Sequence, residues 1–340
     1  MINKSKEILD FEIVHWIVRK MLKGKTNNIF IITKDTFYTV LLTLLFAACI
    51  FHSAADGQST PPTTGAAVSH YGLDVQTFRL NSKLMAREMP YQMIVPNSSD
   101  PKDESKRYAV IYLLHGLSGH YDNWAAKTKL AEFAAGHKFI IVMPEGGNGW
   151  YTDSISVSND KYESYIIQEL IPEIDKKYRT IADRDHRMIA GLSMGGYGAV
   201  KFGIKYAGMF SVVGSFSGAL AATEFDLPAT PNGVSHGMLQ FISPSLRAVF
   251  GPANSETRKN NDIFRLVHET TLDKLKSLPF IYQSCGTEDP FFQNNRDFDA
   301  LLIEKKIPHE YREDPGVHGW EFWNDQVREF LDLAERRLKK

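Results

Sequence analysis

The stretch IAGLSMGGYGAVKF, residues 189–202, places one serine between an apolar run and a segment of small residues that can form a helix. Around Ser193 the sequence reads Gly-x-Ser-x-Gly, with Gly191 before the serine and Gly195 after it. Glycine removes the Cβ atoms that would clash where a strand turns sharply into a helix, and such a turn exposes its serine. The stretch therefore predicts a buried strand, a strained turn that carries Ser193 as a nucleophile, and a helix.

Apolar runs on both sides of this stretch alternate with helical patterns, which predicts an α/β fold with a mainly parallel sheet and helices on both faces. Two earlier runs, residues 73–82 and 84–96, have no helix between them, so we expect an antiparallel hairpin at the N-terminal edge of the sheet. The runs that we predict as parallel strands are residues 107–116, 138–146, 186–192, 209–218, 279–286 and 309–314.

The folded domain is predicted to span residues 71–340, with a lid-like insertion at 219–262. That insertion interrupts the alternation with turn-forming and polar residues. Ligands of such folds bind at the carboxyl ends of the parallel strands, so the insertion is expected to lie over that end of the sheet. Residues 56–70, rich in Ser, Thr, Pro and Gly, are predicted to form a flexible tether.

Residues 1–55 have the pattern of an export signal. A basic flank precedes residues 36–55, which hold no Asp, Glu, Lys or Arg and include the apolar run VLLTLLFAACIF. We predict a signal peptide cleaved after Ala55 and an exported, periplasmic or extracellular, protein. Two alternatives stay open: residues 36–55 as a retained membrane anchor, since about 20 residues can span a bilayer, and Met21 as the true start after an N-terminal extension.

The overall charge and the cysteine count exclude several function classes. The 340 residues include 39 Lys and Arg and 40 Asp and Glu, which gives a formal net charge of −1. Nucleic-acid-binding proteins usually carry an excess of basic residues, so we predict no nucleic-acid partner. With only two cysteines and no His, Asp and Glu at metal-ligand spacing, we predict no disulfide framework and no metal site. No Gly-x-Gly-x-x-Gly follows a strand, and no cofactor is expected.

A serine nucleophile needs a histidine base, and four histidines follow Ser193 in the chain. His318 lies in DPGVHGW, a loop between the last predicted strand and the last helix, from which it could reach the serine. The other three are less suitable as the base: His236 lies in the insertion, His268 on a helical pattern and His309 at the start of a predicted strand.

The carboxylate that orients the base should lie between the serine and the histidine in sequence. Asp289 is the preferred candidate because it stands at the carboxyl end of the strand-like run PFIYQSCG, just before a helix, and the neighbouring Glu288 should point away from the site. Glu288 and Asp314 remain alternatives, and Asp289 could also cap the helix that follows it.

Attack on an ester carbonyl also needs hydrogen-bond donors for the oxyanion. The backbone N–H of Met194 follows the nucleophile in the turn, and the N–H of Leu117, in the glycine-rich LLHGLSG, could supply the second donor. His115, at the end of a buried strand, is expected to be structural.

Six motifs in order resemble the putative esterase family of α/β-hydrolases: YLLHGLSGHYDNW, GWYTD, ELIPEID, GLSMGGYGA, CGTEDPFF and HGWEFW. This family includes esterase D, tributyrin esterases, feruloyl and acetylxylan esterases, and the mycolyltransferase antigens. The resemblance implies Ser193, Asp289 and His318 as the catalytic triad, with Leu117 and Met194 as oxyanion donors.

The resemblance further implies that three residues line the substrate pocket: Trp124, Trp150 and Tyr151. Core packing is an equally good interpretation of Trp124. The expected function is that of an exported serine carboxylesterase acting on short-chain acyl or on acetyl- and feruloyl-type esters, as small molecules or linked to polysaccharide. The alternatives are acyl transfer to a sugar or alcohol, and a non-catalytic binding protein on a hydrolase scaffold.

Overall fold

A computed structural model describes residues 73–96, 106–227 and 236–338 of the protein. These residues all belong to one unit, Val68–Lys340. The predicted signal peptide and tether, residues 1–55 and 56–70, lie outside the described residues and stay predictions. Within the described ranges, no helix combines the length and the apolar character that crossing a bilayer would require.

An eight-stranded sheet forms the centre of the described unit, in the order β1-β2-β4-β3-β5-β6-β7-β8. The pairs β1–β2 and β2–β4 are antiparallel, and every other neighbouring pair is parallel. This confirms the predicted parallel sheet and its antiparallel N-terminal edge. The strands are β1 (Val75–Ser82), β2 (Arg87–Ile94), β3 (Ala109–Leu114), β4 (Phe139–Pro144), β5 (Arg187–Leu192), β6 (Val212–Phe216), β7 (Phe280–Gly286) and β8 (His309–Asp314).

Helices connect these strands and include one π-helical segment, Tyr165–Leu170. The long helix α6 and three short helices fall between β6 and β7, and the first two of these four lie within the predicted insertion at 219–262. The helices are α1 (Asn123–Lys127), α2 (Leu130–Ala134), α3 (Tyr162–Ser164), α4 (Ile171–Lys177), α5 (Met194–Lys205), α6 (His236–Phe250), α7 (Glu256–Lys259), α8 (Ile263–His268), α9 (Leu272–Lys276), α10 (Phe292–Glu304) and α11 (Trp320–Leu338).

The central strands are buried on both faces. All six residues of β3 are buried, and they alternate between two apolar clusters, with Val110 and Tyr112 in one and Ile111 and Leu113 in the other. Because successive side chains of a strand point to opposite faces, each face of the sheet needs its own cover. Helix α5 contributes to the first cluster, whereas α1, α2 and α11 contribute to the second.

The parallel strands bring distant parts of the sequence to one edge of the sheet. The segments that follow β3, β5, β7 and β8 all begin at the carboxyl ends of neighbouring strands. They contain Leu117, Ser193, Asp289 and His318, respectively. The topology therefore places every predicted catalytic residue at the edge where such sheets bind ligands.

Candidate active site

Ser193 alone forms the turn between β5, which ends at Leu192, and α5, which begins at Met194. Its backbone has φ 52° and ψ −117°, a strained combination for a residue with a Cβ atom. The Ser193 N–H donates to the Phe216 carbonyl at 2.9 Å, and its own carbonyl accepts from the Ala219 N–H at 3.1 Å. These bonds hold a conformation that costs about 1–3 kcal/mol.

Two glycines make this turn possible. A Cβ atom on Gly191 would lie 2.5 Å from the carbonyl carbon of Gly195, and one on Gly195 would lie 2.5 Å from the carbonyl oxygen of Leu114. Backbone atoms cannot yield to such contacts without moving the chain. Glycine at these positions therefore lets the first turn of α5 approach the ends of β5 and β3.

Ser193, His318 and Asp289 form a continuous hydrogen-bonded chain. The Ser193 Oγ lies 3.0 Å from His318 Nε2, and His318 Nδ1 lies 2.8 Å from Asp289 Oδ2. The Asp289 carboxylate is completely buried, and its Oδ1 accepts the Phe291 N–H at 2.8 Å. A carboxylate can only accept, so His318 carries its hydrogen on Nδ1 and leaves Nε2 free to accept the Ser193 proton.

Two aromatic rings fix the plane of the His318 imidazole. Phe291 and Trp323 approach it edge-on, with ring centroids 5.1 Å and 4.9 Å away. Glu288 braces the loop that carries the histidine, because its Oε2 accepts the Gly316 N–H at 2.9 Å and its own N–H donates to the Gly316 carbonyl. This bracing role of Glu288 was not predicted from the sequence.

Two of the residues considered as alternative acid or base make contacts away from Ser193. The Asp314 carboxylate accepts from Gln326 at 3.3 Å, and His309 contacts Asp299 at 2.8 Å. His268 is exposed at the end of α8, and the side chain of His236 lies outside the described residues. Within the described residues, only Asp289 and His318 extend the hydrogen-bonded chain from Ser193.

The two predicted oxyanion donors belong to the segments that follow β3 and β5. Met194 begins α5, and the first N–H groups of a helix have no partner inside it and lie at its positive end. Leu117 lines the cavity that contains Ser193. Between them, a Cβ atom on Gly116 would lie 3.4 Å from the Ser193 Cβ, so the loop after β3 passes close to the nucleophile.

His115 is a structural residue, as the sequence predicts. It is 1% exposed, its Nε2 accepts the Gly146 N–H at 2.8 Å, and its Nδ1 lies 2.7 Å from the Gly116 carbonyl. Because Nε2 is an acceptor, the hydrogen is on Nδ1 and donates to Gly116, which holds the loop before Leu117 in place.

The three residues predicted to contact substrate are buried and do not line the Ser193 cavity, which corrects the expected role of Trp150 and Tyr151 and agrees with the alternative of core packing for Trp124. Trp124, Trp150 and Tyr151 are 1%, 1% and 0% exposed. The indole N–H groups of Trp124 and Trp150 donate to the Leu114 carbonyl and to Ser245 Oγ, and the Tyr151 hydroxyl donates to the His115 carbonyl. Their polar atoms are thus used within the protein, and the residues support the wall of the site.

A buried lysine fixes the strained segment that carries Trp150 and Tyr151, both of which have φ 50°. Lys201, on α5, donates to the Tyr151 carbonyl and to Thr152 Oγ1, each at 2.6 Å, and to Glu163 Oε2 at 2.8 Å. Burial lowers the pKa of Lys201 to about 8, although Glu163 acts in the opposite direction. This network was not predicted, and its one signal in the sequence is a lysine within the small and apolar residues of α5.

The cavity beside Ser193 has a volume of about 210 Å³. Most of its wall is apolar and aromatic, and α6 contributes three of these residues. The apolar and aromatic lining residues are Leu117, Leu192, Met238, Phe241, Ile242, Phe291, Trp320 and Trp323. A second cavity of about 360 Å³, between α6 and the segment after β4, shares Leu117, Ser118 and Phe241 with the first.

No group of three or more His, Cys, Asp and Glu residues in the described ranges is arranged to hold a metal ion. What the site contains is a serine hydroxyl, a base that can take its proton, a carboxylate behind that base, and backbone donors beside the serine. This set of groups suits nucleophilic attack on a carbonyl carbon.

Comparison with known proteins agrees with this chemistry. Residues 82–332 match the family model described as "Putative esterase". An acetyl esterase from Caldicellulosiruptor saccharolyticus is 31% identical over 233 residues, which are 68% of this chain and 85% of that protein. Esterase Rv1288 from Mycobacterium tuberculosis is 32% identical over 256 residues, which are 71% of this chain and 54% of that protein. The chain thus spans about half the length of this second relative.

Solved structures share the fold. A ferulic acid esterase is 27% identical with a TM-score of 0.64, and the match covers 78% of this chain and 100% of that one. FphF, a fluorophosphonate-binding serine hydrolase from Staphylococcus aureus, is 22% identical with a TM-score of 0.67, over 77% of this chain and 98% of that one. The predicted α/β-hydrolase fold is confirmed.

Proposed function

Because the chain belongs to the putative esterase family, it is a carboxylic ester hydrolase, and we propose that it works through an acyl-enzyme on Ser193. The observation that carries this proposal is the hydrogen-bonded chain from Ser193 Oγ through His318 to the buried Asp289 carboxylate. A serine hydroxyl is a weak nucleophile until a base takes its proton, and this chain provides a base with its accepting nitrogen 3.0 Å away.

In the proposed reaction, His318 Nε2 takes the Ser193 proton as Oγ attacks the ester carbonyl carbon. The N–H groups of Leu117 and Met194 stabilise the oxyanion that forms, and His318 then gives its proton to the leaving alcohol. Asp289 stabilises the transient imidazolium without being protonated. Water, activated by the same histidine, attacks the acyl-enzyme and releases the acid.

The cavity wall supports short-chain or planar acyl groups as substrates. Aromatic side chains in the wall, Trp320, Trp323 and Phe241, present flat faces that suit a small or planar acyl group better than a long flexible chain. Relatives named acetyl esterase and ferulic acid esterase act on acyl groups of these two kinds. We therefore propose acetyl, butyryl and feruloyl esters, free or linked to polysaccharide, as the substrate class.

A hydrolysis panel of acetyl, butyryl, octanoyl and feruloyl esters tests this proposal. We expect turnover of the acetyl, butyryl and feruloyl esters, and a kcat/KM for the octanoyl ester roughly tenfold or more below that for the butyryl ester. Measuring the free acid with and without added sugar distinguishes hydrolysis from acyl transfer. Preference for the octanoyl ester, or no hydrolysis of any of the four, would contradict the proposal.

We further propose that the protein is exported. Support comes from the basic flank before residues 36–55 and from the absence of charged side chains within them. After expression of the full chain in a bacterial host, we expect N-terminal sequencing of the exported protein to start at Asp56. Protein that stays in the cytosol at full length would overturn the proposal, and an uncleaved chain in the membrane fraction would replace the cleaved signal with an anchor.

A further inference from the structure

The charge of the Ser193 cavity is asymmetric. Among the residues that line it, none is Asp or Glu, and Lys127 is the only Lys or Arg. Apart from the histidine base and a few small polar groups, the rest of the wall is apolar or aromatic. A single cation on such a wall produces a positive potential inside the cavity, because low-dielectric walls screen it less than open water does.

Lys127 lies at the end of α1, four residues after Asn123, so both side chains leave the same face of the helix. Both residues line the cavity. Asn123 is held in place, because its Oδ1 accepts the His120 N–H and its Nδ2 donates to Asp122. The face of α1 that reaches the cavity is therefore set by the same hydrogen bonds that shape the loop before it.

The ammonium group of Lys127 makes a cation–π contact with the ring of Trp320. Its Nζ lies 5.1 Å from the centre of the Trp320 ring. Trp320 also lines the cavity, and its ring is packed edge-on against Trp124 at 5.7 Å and Trp323 at 5.2 Å. A cation–π contact of this kind limits the positions of an otherwise flexible side chain.

No carboxylate among the described residues lies within ion-pair distance of Lys127, a state that it shares with other surface lysines such as Lys129. What distinguishes Lys127 is its place on the wall of the Ser193 cavity. Its ammonium donors are therefore available to a ligand bound there.

We propose that Lys127 is a specificity-determining residue that makes the cavity favour esters bearing a carboxylate in addition to the ester group. This inference rests on the proposed function of the Ser193 site and names a substrate class within it. The carboxylate would pair with Lys127 Nζ while the ester carbonyl lies against Ser193. The ion pair forms at the rim, so a moderate gain in kcat/KM is expected, not an absolute requirement.

Two matched ester pairs test the proposal. On the alcohol side, 4-acetoxybenzoate is compared with 4-acetoxybenzamide; on the acyl side, the monophenyl ester of terephthalate is compared with phenyl 4-carbamoylbenzoate. The two members of each pair differ only in that one carries a carboxylate where the other carries a carboxamide, a neutral group of similar shape. The quantity measured is the ratio of kcat/KM for the anionic ester to that for the neutral one, which removes effects common to both members.

We expect Lys127→Met to lower this ratio about fivefold in at least one pair. Lys127→Arg should largely keep the ratio, and Lys127→Glu should lower it further than methionine does. Lys129→Met removes a lysine two residues away that does not line the cavity, and it should leave the ratio unchanged. Because the pair is at the rim, added salt should also lower the ratio of the unmodified protein.

An equal ratio for the unmodified protein and Lys127→Met in both pairs would overturn the inference while leaving the esterase function in place. Failure of the unmodified protein to hydrolyse even the neutral esters would instead count against the proposed function. If Lys127→Met does not fold, the comparison of Lys127→Arg with Lys127→Glu decides, because these side chains differ in charge at similar length.

Discussion

Ser193→Ala is expected to lower kcat/KM for ester hydrolysis by roughly 10⁴-fold or more. The substitution removes the only atom that can attack the carbonyl, and His318 cannot act without it, because its Nε2 is directed at Ser193 Oγ. The oxyanion donors and the cavity remain, so a residual rate above that of water is expected. Initial rates with p-nitrophenyl butyrate measure the effect.

The matched control is Ser284→Ala. Ser284 is also buried, on β7, and its Oγ has no hydrogen-bond partner among the described residues. Its removal should change kcat/KM by less than about threefold, since deleting an unpaired hydroxyl costs little. Turnover by Ser193→Ala within tenfold of the unmodified protein, with an unchanged melting temperature, would refute the assignment of the nucleophile.

Asp289→Asn is expected to lower kcat by roughly 10³- to 10⁴-fold with little change in the fold. Both carboxylate oxygens of Asp289 accept hydrogen bonds, one from His318 and one from the Phe291 N–H. An amide has a single acceptor oxygen, so one of these bonds must be lost. If the amide nitrogen faces His318, the histidine must carry its hydrogen on Nε2 and can no longer accept the Ser193 proton.

The alternative acids provide the controls for this experiment. Asp314→Asn and Glu288→Gln change carboxylates that the sequence also offered, and neither contacts His318 in the structure. Asp314→Asn and Glu288→Gln should each cost less than about threefold in kcat, because neither carboxylate contacts His318 and the glutamine Oε1 can still accept the Gly316 N–H. A loss at Asp314 as large as the loss at Asp289 would reassign the acid.

The fold follows from the sequence because its signals are local. Strands such as β3 and β5 are continuous apolar runs, and the change to helical periodicity after Gly191 marks the turn at Ser193. The antiparallel edge of the sheet could be predicted in the same way, because β1 and β2 are joined by a short turn with no helix between them.

The site was predictable only in part. Asp289 and His318 could be selected because each lies in the loop after a strand, and the sheet brings such loops together. The direction of a large aromatic side chain depends on contacts from distant segments, so Trp150 and Tyr151 were expected in the cavity and lie behind it. The same holds for Lys201, whose partners come from two other parts of the chain, and for Lys127, which lies over the Trp320 ring.

The most direct test of the central claim is to identify the residue that carries the acyl-enzyme. Folded protein is labelled with a fluorophosphonate, and the adduct is located by peptide mass spectrometry, with Ser193→Ala as the blank. We expect one phosphonyl group per chain, on the peptide that contains Ser193, and none on the variant. An adduct on another residue, or no adduct on protein that still hydrolyses esters, would contradict the claim.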